Sequence, residues 1–275
     1  MKTPMDDVWD ELKDSVSLDE LDFLKKCFRA YSSKAHVNNV MHDLGILKRI
    51  SPPPQRILDF GCGIGLQSLL LARIGYDVYG LETVEDKSLD DFLKGRAESH
   101  KKSREESMEN VWRVIRNKKK IQFKFYDGTK IPFSNEFFDI VFAYAVVEHI
   151  PPVEVPHIVK ELYKVVKPNG LFYIFQLPQR TSYTEFIART LGIESHPYLW
   201  DIQTITKLLS ETGFHVIFSE KVDILINHPY KIVNPLFCIL KPLNKLLIHT
   251  PLSYFAHHLT VVSQKIALRE DTKNL

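Results

Sequence analysis

Cysteine is scarce in this chain, with three residues in 275. Cys27, Cys62 and Cys238 are odd in number and far apart, with no CxxC pair and no metal-ligand spacing. That pattern reads as reduced thiols in a cytosolic protein, with no metal site expected. Net charge is nearly absent as well, at +2, so a general nucleic-acid binder is disfavoured. The charge is uneven, however: the N-terminus (MDDVWDELKDSVSLDELD) is acidic and the last fifty residues lean basic. Long apolar runs are missing, because Pro, Asn or Lys interrupts each one well short of the roughly 20 residues a spanning helix needs. The first twenty residues are acidic and lack an apolar core, so no signal peptide is expected. Internal repeats and low-complexity tracts are absent too. What remains is ordinary globular material, 44% hydrophobic and 25% charged. The length suits one large domain, or at most two small ones.

Periodicity predicts the elements. LDELDFLKKCFRAY (18–31) carries Leu18, Leu21, Leu24 and Phe28 at helical spacing. HVNNVMHDLGILKRI is a second helical stretch, and SPPPQ then forces an extended linker. Strands and helices alternate from there. RILDFG reads as a buried strand, and LQSLLLARI as a helix stopped by Gly75. YDVYGLE is a second strand. The charged segment from about 85 to 120 reads as a solvated helix. IQFKFYDG and FFDIVFAYAVV are a third and a fourth strand, the latter apolar enough to be covered on both faces. VPHIVKELYKVV is a helix ended by PNG, and LFYIFQLP is a fifth strand. IQTITKLLSETG is a capped helix, FHVIFSEKVDIL a sixth strand and LTVVSQKIAL a seventh. Between the last two strands lies a Pro-punctuated apolar insert with no ordinary amphipathic helix. The expected fold is α/β: a Rossmann-like, seven-stranded, mostly parallel sheet with helices on both faces and the last strand antiparallel.

The chemistry centres on ILDFGCGIGLQ (57–67). A glycine-rich loop between the first strand and first helix sits at the sheet's carboxyl edge, where ligands bind. A P-loop is rejected because no Lys-Ser or Lys-Thr follows. A dinucleotide fingerprint places its third glycine one position later than Gly65. It also lacks a carboxylate such as Asp59, which would repel a pyrophosphate but suits a cationic amino group. Glu82 ends the second strand, where a carboxylate can accept both hydroxyls of a ribose. Asp127-Gly128 ends the third, where one can accept from an adenine amino group. A ligand with an amino acid end, a ribose and an adenine fits all three, and S-adenosylmethionine has that outline.

With these residues in view, the sequence resembles the class I S-adenosylmethionine-dependent methyltransferases, of the small-molecule group related to the ubiquinone and menaquinone methyltransferases. ILDFGCGIG, GLE, YDG followed by KIPFSNEFFDIVFAYAVVEHI, and ELYKVVKPNGLFYI occur in the family's order across residues 57–177. The resemblance implies a helical cap at 1–54, a cofactor-binding core at 55–224, the apolar insert at 225–257, and a last strand and tail at 258–275. It implies cofactor contacts from Asp59, Gly61, Cys62, Gly63, Gly65, Glu82, Asp127, Gly128 and Tyr144, with Cys62 a small filler of the loop. Glu148 and His149, just beyond the fourth strand, are the candidates for a base beside the transferring methyl. The family's ubiquinone-type members carry E-x-x-E-H there with a divalent metal. This chain has Ala145 at the first Glu, so neither that metal nor that substrate is carried over.

The expected activity is methyl transfer to a small, lipophilic acceptor, with O-methylation favoured over C- or N-methylation. The alternatives are an inactive scaffold with this fold and a protein or nucleic-acid methyltransferase. No N/D-PPY motif follows the fourth strand, and no large basic domain is appended. His36, Asn38 and Asn39 can reach the cofactor from the cap, or face solvent, which is favoured. In the insert, Leu236, Phe237, Ile239, Leu240, Leu243, Leu246 and Leu247 share one side across Pro-broken helical turns, interleaved with Lys231, Lys241 and Lys245. A lid or the wall of an acceptor pocket is favoured over a membrane-surface segment.

Overall fold

The computed structural model describes residues 4–17, positions 21, 24, 25 and 28, and then 33–83, 104–193, 195–227 and 229–266. Two helices precede the sheet, α1 (Pro4–Lys13) and α2 (Lys34–Ile50). The core runs β1 (Arg56–Phe60), α3 (Leu66–Ile74), β2 (Asp77–Thr83), α4 (Arg104–Lys118), β3 (Gln122–Tyr126) and β4 (Phe138–Tyr144). It continues with α5 (Val155–Val165), β5 (Val166–Pro178), α6 (Tyr183–Thr190), α7 (Ile202–Glu211) and β6 (Phe214–Val222). Helix α8 (Tyr230–Leu247) and β7 (His258–Lys265) complete it.

The seven strands lie in the order β3-β2-β1-β4-β5-β7-β6. All pairs are parallel except β5–β7 and β6–β7, so β7 is antiparallel as expected. Alternate residues of each strand enter opposite cores. Ile57, Phe142, Tyr173 and Val262 pack with α1 to α4, while Leu58, Val141, Phe172 and Val261 pack with α5 and α7. Each such buried side chain contributes about 1.5–3 kcal/mol. Gly75 ends α3 in the left-handed conformation (φ 112°), its N–H bonded to the Leu71 and Ala72 carbonyls, as the sequence implied.

Three expectations change. Helix α4 is solvated on one face only: Met108, Val111, Trp112 and Ile115 follow helical spacing and are fully buried. Residues 84–103 of the same charged segment lie outside the described residues. Of the helix expected at 18–31, positions 21, 24, 25 and 28 are described and helical. The insert holds one continuous helix, α8, which passes through Pro235 and Pro242. Each proline removes one backbone hydrogen bond without ending it. Finally, α5 stops at Val165, and PNG lies within β5, where Asn169 takes a left-handed turn (φ 63°). Helices α1 and α6 were not anticipated.

Candidate functional site

Strands β1, β2, β4 and β5 deliver their carboxyl ends to one edge, and the glycine loop folds over it. The Gly61 and Cys62 amides both bond to the Leu81 carbonyl, at 2.8 and 3.1 Å, which bends the loop across the end of β2. Gly61 has φ 71°, and a Cβ there would stand 2.5 Å from the Val146 side chain. Gly63 has φ 53°, but a Cβ there would meet nothing within 4 Å. Gly61 is therefore required for packing, whereas Gly63 turns bare backbone toward open space, as a ligand cradle does. Gly65 starts α3 in the left-handed conformation. Cys62 is buried beside Gly80, where a Cβ would lie 2.9 Å from its Sγ; this is the filler role expected of it.

Two side chains clamp the cradle. The Gly63 amide donates to Glu82 Oε2 at 2.7 Å, and the Thr83 amide donates to Glu82 Oε1 at 3.0 Å. On the other side Trp112 Nε1 donates to the Gly63 carbonyl at 3.0 Å, with its ring stacked on Phe123. Trp112 escaped the sequence reading, although its apolar spacing with Met108, Val111 and Ile115 was there to be seen. Asp59 lies beneath the loop and accepts from Ser68 Oγ. Burial, with a smaller push from Glu82, raises its carboxyl to about 7.

Asp127 stands exposed at the end of β3, next to the end of β2 through the Thr83–Tyr126 pairing. Its Oδ1 accepts the Thr129 and Lys130 amides at 2.9 and 3.3 Å, and Gly128 turns with φ 79°. The bonds from Thr129 and Lys130 hold the carboxyl below its ordinary range. Asp127 is thus an exposed turn former. At the end of β4, Tyr144 is buried and meets His36 edge-on, ring centroids 6.3 Å apart.

The cap reaches this edge. Asn39 is not a surface residue: it is buried and donates to Asp223 at the end of β6. Asn38, on the same helix, is half-buried. Asn227 also donates to Asp223, at 2.8 Å, and Gln176 donates to the buried Asp43 at 2.7 Å. Three non-glycine residues along the edge have left-handed backbone: Ala145 (φ 53°), Gln176 (φ 58°) and Asp223 (φ 61°). Each conformation of this kind costs about 1–3 kcal/mol, and such residues cluster at functional sites.

The two candidate bases part company. His149 is exposed at the end of a short 3-10 turn, Val147–His149. Glu148 is fully buried, and neither carboxylate oxygen has a hydrogen bond. Burial pushes its carboxyl up to about 7, opposed by the charge of His196. The site therefore offers an open cradle at Gly63, a carboxylate at Glu82, a buried acid at Asp59 and an exposed imidazole at His149. These groups fit S-adenosylmethionine.

The model of a methyltransferase-domain family matches residues 36–218, well over half of the chain. The chain belongs to this family. It is 27% identical to the sterol 24-C-methyltransferase of Saccharomyces cerevisiae over 172 residues, covering 60% of this chain and 40% of that protein. It is 31% identical to a ubiquinone biosynthesis O-methyltransferase of Rhizobium rhizogenes over 119 residues, covering 43% of this chain and 40% of that one. The chain thus matches less than half the length of these two relatives. Among solved structures, phosphoethanolamine N-methyltransferase 2 of Haemonchus contortus superposes with TM-score 0.55 at 18% identity, covering 94% of this chain and 60% of that one. A SAM-dependent methyltransferase of Methanosarcina mazei superposes with TM-score 0.52 at 18% identity, covering 81% and 98%. Both share the fold.

Proposed function

We propose that this methyltransferase-family chain moves a methyl group from S-adenosylmethionine to a hydroxyl of a small, lipophilic acceptor. The observation that carries the reading is the clamped loop, in which bare backbone at Gly63 lies between the Glu82 carboxylate and the Trp112 indole. S-adenosylmethionine supplies a methyl group already activated on a sulfonium, so the protein's work is largely positioning. Glu82 accepts the ribose hydroxyls, Asp127 the adenine amino group, and Asp59 faces the charged amino acid end. Tyr144 borders the methionine portion. His149 takes the proton from the acceptor hydroxyl; its exposure at the edge supports this role for it over the buried Glu148.

Helix α8 supports a lipophilic acceptor. Ile232, Leu236, Ile239, Leu243 and Leu246 are exposed along one face of it, while Val233 is buried. Lys231, Lys241 and Lys245 of the same helix are exposed as well. Among the described residues, no helix is long and apolar enough to cross a membrane. The face is suited to lie on an anionic bilayer surface. The protein is expected to sediment with anionic vesicles and to stay in solution with neutral ones. Ile239→Glu together with Leu243→Glu abolishes sedimentation without loss of fold, since both residues are exposed. Sedimentation unaffected by the double substitution contradicts this assignment.

Asp59 sets a pH dependence. In the free protein its carboxyl stays protonated up to about 7. A cationic ligand end favours the ionised form, so binding below that pH releases a proton. Affinity for S-adenosylhomocysteine is expected to weaken as pH falls from 7 to 5.5, by up to about tenfold per unit. The ligand-free fold has the opposite slope. Its Asp59 binds a proton more tightly than the unfolded chain does, so that contribution is present below about pH 4 and lost as pH rises through 7. Asp59→Asn should flatten the affinity profile; an unchanged slope would assign it to another group. The acceptor is tested by incubating the protein with 13C-methyl S-adenosylmethionine and a lipid extract. The 13C shift of the product separates a methoxy from a C-methyl group. Label in the aqueous fraction alone, or in a C-methyl, overturns the proposed acceptor.

A further inference from the structure

A second cluster lies behind the 3-10 turn and outside the cofactor cradle. It draws on three separate parts of the chain: Glu185 in the first turn of α6, His196 in the loop before α7, and His257 immediately before β7. His196 Nδ1 lies 2.7 Å and His257 Nε2 lies 2.9 Å from Glu185 Oε1. One ligand atom from each residue falls within 4.8 Å of the others. Glu185 is buried, while both imidazoles keep some exposure, which leaves a route in from solvent.

The cluster is held from outside. Ser182 caps α6 and accepts the Glu185 amide. The His196 amide donates to Glu185 Oε2 at 3.2 Å, which orients the carboxylate and leaves Oε1 toward the imidazoles. The His257 amide is bonded to the Asp223 carbonyl, and its own carbonyl accepts from the Gln179 amide. Ligands supported in this way are preorganised for a metal.

An independent observation favours a cation at this place. Glu148 is fully buried, with two carboxylate oxygens that have no hydrogen-bond partner, and the charges it feels come from His196 and Glu185. The Tyr198 amide, two residues beyond His196, donates to the Glu148 carbonyl and holds the two segments together. A buried, unpartnered carboxylate is destabilising unless it meets a positive charge.

We propose that Glu185, His196 and His257 bind a divalent first-row transition metal of the zinc class, with the Glu148 carboxylate completing its surroundings. Two imidazole nitrogens with carboxylate oxygen suit zinc, cobalt or manganese and do not suit calcium or magnesium. No sequence motif announces the site, because its ligands come from positions 185, 196 and 257 and converge only in the fold. The proposal does not depend on methyl transfer.

The test uses the full chain, stripped with a chelator and titrated with Co2+ and Zn2+ by calorimetry and, for Co2+, by its visible d–d absorption. One equivalent is expected to bind with a micromolar or tighter Kd, with a cobalt spectrum of low-symmetry, mixed nitrogen and oxygen ligation. Glu185→Gln still accepts both imidazole N–H groups, so it separates ligation from a purely structural role. It is expected to keep the fold by circular dichroism and to weaken binding at least about tenfold, and His196→Ala with His257→Ala at least about 100-fold. Glu148→Gln is expected to weaken binding severalfold. Failure of the wild-type protein to bind either metal below millimolar concentration overturns the proposal. So does binding that survives unchanged in the folded Glu185→Gln and His196→Ala, His257→Ala variants.

Discussion

Glu82→Ala is expected to weaken S-adenosylhomocysteine binding by about 100-fold or more, with the circular dichroism spectrum unchanged. Hydrogen bonds to a charged group contribute about 1.5–3 kcal/mol each, and two ribose hydroxyls would be lost together. The substitution also removes the acceptor that holds the Gly63 amide at 2.7 Å, so the cradle loosens as its ligand contact disappears. The fold should survive, since β2 keeps its pairing with β1 and β3 through the backbone. Glu82→Gln retains one acceptor oxygen and should lie between the two. Calorimetry decides: a change in Kd within about threefold would remove Glu82 from the ribose site.

Trp112→Ala should be the most damaging single change to stability outside the sheet. The side chain is fully buried, stacks on Phe123 with ring centroids 4.9 Å apart, and ties α4 to the Gly63 carbonyl. Emptying a site of this size costs about 3–5 kcal/mol. At roughly 2–4 °C per kcal/mol for chains of this size, the melting temperature is expected to fall by about 6–20 °C. Trp112→Phe keeps the stack and loses the hydrogen bond, worth about 1 kcal/mol. The same variant should bind S-adenosylhomocysteine more weakly than its stability loss alone explains, because the Gly63 carbonyl is freed. A loss below about 1 kcal/mol on denaturant titration would mean that α4 packs less tightly than its burial implies.

The parts of this site that were legible in the sequence are those written in consecutive residues. Asp59 through Gly65 lie in one strand and its following loop, and Glu82 and Asp127 sit at strand ends that hydrophobic pattern alone locates. Trp112 was legible in principle, but the lysines, arginines and glutamates around it made α4 read as a solvated helix. Pro235 and Pro242 concealed α8, because a proline inside a helical pattern ordinarily marks a break. Asn39 was misplaced for a different reason. A polar residue on a helix reads as exposed unless its partner is known, and Asp223 is 184 residues away. Glu185, His196 and His257 present the extreme case, since only the closing of β7 against β5 brings the last of them to the others. Local sequence reports local chemistry well, and sites assembled from several loops at a sheet edge remain hidden until the topology is known.

The site proposed for S-adenosylmethionine at the Gly61–Gly65 loop, with Glu82 and Asp59, is open to direct measurement. Isothermal titration of the folded wild-type chain at pH 7.5 tests it most directly, with S-adenosylhomocysteine, S-adenosylmethionine and NAD as titrants. Saturable one-to-one binding of the first two at micromolar concentrations is expected, with no heat from NAD. No binding of S-adenosylhomocysteine at millimolar concentration, or tighter binding of NAD, would contradict it.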